Sequence, residues 1–143
     1  MISRKQRINA FVKLGKFLTD PEHGQDLEEW ITSANRKNNW FTPQNSASSL
    51  TAIATEFLNE DKLTAWADEY PEPANVKKVG VIMAGNIPAV GFHDSLCVLI
   101  SGHILLAKPS SDDQVLIQLI FEKLIELEPG FKENIFFVNF KIF

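Results

Sequence analysis

Two short segments carry residue types that can do chemistry at the edge of a sheet. Gly85-Asn86-Ile87-Pro88 joins a permissive backbone to one amide side chain, and Lys108-Pro109-Ser110-Ser111 joins one cation to two hydroxyls. Backbone N–H groups just ahead of a helix, backed by a dipole end worth about half a positive charge, favour an anion or a developing oxyanion. Asn86 adds a side-chain donor there, and a lysine followed by hydroxyls can hold a sugar or a phosphate. Each segment also has a plainer reading: a structural turn at Asn86, and a solvated lysine ending a strand at Lys108. Neither is a G-x-G-x-x-G or G-x-x-x-x-G-K-S/T phosphate fingerprint.

The other reactive residue types read as packing or surface. His93-Asp94 lacks further ligand spacing, and adjacent helix positions do not share a face, so no metal is expected. His93 has a second reading, facing a substrate near its helix start. His103 opens a strand and His23 lies among helix breakers, so both read as structural or solvated. Cys97, between Leu96 and Val98, has no base beside it and reads as core packing. As the single cysteine it excludes an internal disulfide and a multi-cysteine zinc site. The acidic run from Glu122 to Glu128 reads as a solvated helix edge, and the Phe and Trp residues fall at core spacings.

The elements that must position these residues divide the chain near residue 75. Over 1–74 the periodicity is helical. Ile8, Phe11, Val12, Gly15 and Leu18 share one face, as do Leu27, Trp30, Ile31 and Ala34. Thr42 as an N-cap with Pro43 at the first helical position opens a third helix through Leu50–Leu58, and a short fourth surrounds Leu63–Trp66. Pro71-Glu72-Pro73 reads as the linker. Over 75–143 strands and helices alternate. Val76–Ala84 reads as a strand buried on both faces. A helix over Ala89–Ser101 stops at Gly102, a position suited to the left-handed region. Then come a strand over His103–Lys108, a helix over Asp113–Leu127 and a strand over Ile135–Val138. The expected fold is α/β: a helical N-terminal region followed by a parallel β-α-β-α-β unit. Ligands of such sheets bind outside the carboxyl ends of the strands, where both chemical segments fall.

Composition sets the outer limits. The 143 residues carry 14 Lys+Arg against 18 Asp+Glu, a net charge of −4, and 45% are apolar. A largely disordered chain and a basic nucleic-acid binder are both excluded. The apolar-rich run Val79–Ala107 is interrupted by Gly, Asn, Pro, His and Asp, so no membrane span is expected. With no visible signal peptide and one cysteine, the cytoplasm is the expected compartment.

Val79-Gly-Val-Ile-Met-Ala-Gly-Asn-Ile-Pro88, followed by Leu99-Ile-Ser-Gly-His-Ile-Leu-Leu-Ala-Lys-Pro-Ser-Ser111, resembles the start of an aldehyde dehydrogenase cofactor-binding domain. Within that superfamily, Gly85–Pro88 and Val90–Leu99 look most like the acyl-CoA reductases related to the fatty-acid reductase of bacterial bioluminescence. The resemblance covers residues 76 to about 138 and implies an aldehyde-forming oxidoreductase. By it, Asn86 stabilises an oxyanion, Ile82, Met83 and Ala84 line the cofactor groove, and Lys108, with Ser110 and Ser111, binds the adenosine ribose. Ser111 stands where NAD-preferring members often carry a Glu. The resemblance therefore implies NADPH ahead of NADH, with acyl-CoA or another acyl thioester as substrate. The family's nucleophilic cysteine lies downstream of this match, and its second nucleotide turn should begin near Asn139. The expectation is the N-terminal portion of such an enzyme, inactive alone. The alternative is a non-catalytic nucleotide-binding or oligomerisation module with the same fold start. An exposed sheet edge and apolar surface would favour a homo-oligomer.

Overall fold

The computed structural model describes residues 1–139. Helix α1 spans Arg4–Thr19 and begins with a capping box: Ser3 accepts from the Gln6 N–H, and the Gln6 side chain accepts from the Ser3 N–H. Helices α2 (Gly24–Lys37), α3 (Pro43–Ala52) and α4 (Glu60–Asp68) follow. Thr42 caps α3 as its sequence predicts, accepting from the Asn45 N–H at 3.1 Å. A π-helical turn over Ile53–Phe57 extends α3, which is why the third apolar stripe reaches Leu58.

Strands β1 (Lys78–Ile82), β2 (Ile104–Lys108) and β3 (Ile135–Phe137) form a parallel sheet in the order β1-β2-β3. Helix α5 (Phe92–Ile100) joins β1 to β2, and α6 (Gln114–Leu127) joins β2 to β3. The chain is thus mixed α/β with a parallel three-stranded sheet, as expected. Gly102, at φ +91°, ends α5 in the left-handed region. Helix α1 packs against α5 and α6, and α2 against α6. One continuous core therefore joins residues of both halves, from Phe11 and Leu14 to Leu105, Ile117 and Phe121. Phe11 sits edge-on to both Phe92 and Phe131, and Phe92 stacks on Phe121.

Several expectations are corrected. Strand β1 is not buried on both faces. Val81 points into the core, while Lys78, Gly80 and Ile82 are exposed. With strand order β1-β2-β3, right-handed crossovers bring both connecting helices to one face, and the other face stays open. Period-two alternation leaves Gly80, Ile82, Leu106 and Phe136 on that open face. Helix α5 begins at Phe92 rather than Ala89, because Ala89 adopts φ +59° and closed turns occupy Pro88–Gly91. Trp40 is not a core residue: it is 88% exposed, in a turn where its N–H bonds to Asn38 Oδ1. Residues 140–143, where the second nucleotide turn is expected, lie outside the described residues.

Candidate functional site

The carboxyl ends of all three strands open on a cleft of about 580 Å³. Ile82 and Met83 line it from the end of β1, and Lys108, Pro109, Ser110 and Ser111 from the end of β2. Gln114 and Gln118 line it from α6, and Phe137, Val138 and Asn139 from the end of β3. Among the described residues, one cation, two hydroxyls and three amides face this space, and no carboxylate lines it. Parallel pairing explains the convergence: Ile82 lies beside Lys108 in register, so the two chemical segments leave the sheet side by side.

The fold brings Ile82, Met83, Lys108, Ser110 and Ser111 to the cleft wall, and leaves Ala84 and Asn86 outside it. Ile82 is 62% exposed, and Met83 is buried, its N–H bonded to the Lys108 carbonyl at 3.0 Å. Ser110 Oγ accepts from the Asp112 N–H, and Ser111 is exposed. Asn86 stands exposed in the turn after β1. Phe92, the first residue of α5, lies six positions beyond it, so Asn86 does not adjoin that helix N-terminus. The two loops nevertheless meet closely. A Cβ on Gly85 would lie 2.2 Å from Ser110 Oγ and 3.2 Å from Asp112 Cβ. A Cβ on Gly91 would meet the Met83 side chain at 2.5 Å. Only glycine permits either approach.

Asp113 is a buried polar residue beside this cleft that sequence reasoning did not single out. At the N-cap of α6 its side chain should accept from that helix's first turn, yet it makes no such bond. Instead Oδ2 accepts from the Ala89 N–H at 2.7 Å, across 24 residues. Asp113 is 3% exposed, and among the described residues its Oδ1 has no hydrogen-bond partner. Burial pushes its pKa up to about 7, against the partial relief of the Ala89 and Val90 N–H groups. The sequence signal was a second Asp in Ser110-Ser111-Asp112-Asp113, at the start of the helix expected over Asp113–Leu127.

The remaining candidates take structural places. His103 Nδ1 accepts from the Lys77 N–H, and the His23 ring packs on Phe17. His93 packs on Phe57 at 4.9 Å and lines a separate hollow of about 240 Å³ with Trp66 and Leu96. Its Nδ1 lies 3.9 Å from Asp94 Oδ1, beyond a hydrogen bond. Half-buried Cys97 has its thiol pKa pushed up by burial and by the Asp94 charge, the opposite of an activated nucleophile. Among the described residues, no three His, Cys, Asp or Glu side chains group as a metal site, and no helix is long and apolar enough to cross a membrane. Compared with family models, curated proteins and solved structures, the chain gives no match.

Proposed function

We propose that this chain is the nucleotide-binding, N-terminal portion of an NADPH-dependent acyl-CoA reductase, working in the cytoplasm on an acyl thioester. One observation carries the reading: Ile82, Met83, Lys108, Ser110 and Ser111, named by the motif resemblance, all line one cleft at the carboxyl ends of parallel strands. The lining suits a phosphorylated ribose, because Lys108 and two hydroxyls face it and, among the described residues, no carboxylate is there to repel a 2′-phosphate. The first turn of α6 receives no bond from Asp113, and its Gln114 lines the same cleft, which is favourable for an anionic group.

When bound, NADPH supplies the hydride that, together with a proton, takes an acyl thioester to aldehyde and free thiol. In this reading Lys108 and the serines hold the ribose, Met83 closes the groove floor, and Asn86 donates to the acyl oxygen as charge develops. The nucleophilic cysteine belongs to another segment of the enzyme, since Cys97 is unsuited to the role. The test is a fluorescence titration of the purified chain with NADPH and NADH, repeated with Lys108→Ala. Saturable binding, tighter for NADPH and weakened by the substitution, is expected. If neither nucleotide binds, the reading fails.

A non-catalytic oligomerisation module is the second reading. The open sheet face favours it, with Ile82 and Phe136 exposed beside Gly80.

A further inference from the structure

We propose that Asp113 is the positioning residue of this site: it ties the loop after β1, with Asn86 in it, to the loop after β2 that lines the nucleotide cleft, so that the two loops move as one body. The proposal takes the identity of the ligand from the reading above, but the coupling of the loops stands on geometry alone.

Three observations carry it. First, the side chain forgoes the helix cap open to it at the N-cap of α6 and reaches Ala89 instead, at 2.7 Å. An Asp serving only α6 would accept from its own first turn. Second, the residue it holds is strained: Ala89 has φ +59°, a conformation that alanine avoids unless its surroundings impose it. The bond to a buried carboxylate supplies such a constraint. Third, the same two loops touch again at Gly85, where no side chain would fit against Ser110 and Asp112. Hydrogen bond and close packing thus clamp the Ala84–Gly91 loop from two points. Ser110 lines the cleft and touches Gly85, so a ligand that shifts the loop after β2 also shifts the loop after β1.

The experiment compares the wild-type chain with Asp113→Ala, Asp113→Asn and Ala89→Gly. Its first readout is hydrogen exchange at the Ala89 and Val90 amides, and its second is NADPH affinity. Loss of the carboxylate in Asp113→Ala should lower protection at both amides by about tenfold or more. Asp113→Asn keeps an acceptor oxygen and should restore most of the protection at Ala89. Ala89→Gly relieves the strain, so it should keep its fold and leave protection in this loop at or above the wild-type level. NADPH affinity should fall with loop protection in the Ala variant and recover in the Asn variant. Unchanged protection at Ala89 and Val90 in a folded Asp113→Ala chain overturns the proposal. So does a loss of protection spread evenly over the whole chain in all three variants, which marks a general stability role. A wild-type chain that binds no NADPH, yet loses protection at Ala89 and Val90 on substitution, sinks the nucleotide reading and leaves the clamp standing.

Discussion

Arg7, in the first helix, forms an ion pair through Nη2 with Glu72 of the Pro71–Pro73 segment, 65 residues later. Arg7 is buried, and its guanidinium also donates to the Ile2 carbonyl and lies near that of Ile100 at the end of α5. Arg4 donates to the same Glu72 carboxylate. The segment that reads as a linker is therefore pinned to α1, next to the helix that carries the chain from β1 to β2. Partial burial acts to raise the Glu72 pKa, but the charges of Arg7 and Arg4 outweigh it and hold it below its ordinary value.

Arg7→Ala should destabilise the chain by about 3 kcal/mol, because it removes both a buried partner and its packing. Glu72→Gln should cost about 1 kcal/mol, since that carboxylate is half exposed. The Glu72 contribution is fully present above its unfolded value near 4.5 and is lost as pH falls through the lower folded value. Urea unfolding at pH 7 and pH 3 checks all three. Equal costs for Glu72→Gln at both pH values would contradict the ion-pair account.

Asp113 has the opposite sign. Its folded pKa of about 7 stands above the ordinary 3.8, so the folded state binds the extra proton between those values. Stability should fall as pH rises from about 4 to about 7, by at most about 4 kcal/mol. Asp113→Asn should flatten that part of the profile. Thermal melts across pH 4–8 measure it, and a slope that survives in the Asn variant would have another source.

Ser111→Glu places a carboxylate in a cleft whose lining has none among the described residues. If the cleft holds a 2′-phosphate, this substitution should weaken NADPH by about tenfold or more and leave NADH bound as well or better. Competitive titration of the two nucleotides gives the ratio. An unchanged ratio would remove Ser111 from the 2′ site.

Gly102→Ala should cost more than about 1 kcal/mol. The backbone there has φ +91°, and a Cβ would lie 3.1 Å from the Pro73 ring and 3.3 Å from Arg7 Nη2. A calorimetric melting temperature tests it. A neutral result would show that the α5–β2 turn relaxes without disturbing the Arg7 cluster.

Local features were legible in the sequence because they depend on residues a few positions apart. The Thr42 cap with Pro43, the stop at Gly102, the apolar stripes of the helices and the strand–helix alternation are all of that kind. Parallel pairing followed from the alternation, and with it came the meeting of Ile82 and Lys108 at one edge. Burial and long-range partners followed from none of these. Only the assembled sheet decided that β1 has one open face, because that depends on which side both crossovers take. Only packing brought the Asp113 carboxyl to Ala89, 24 residues away, and held that alanine at positive φ. A helix cap and a cross-loop tie require the same side chain at the same position. Which one forms depends on which backbone N–H the tertiary structure brings within reach, and at Asp113 that group is Ala89.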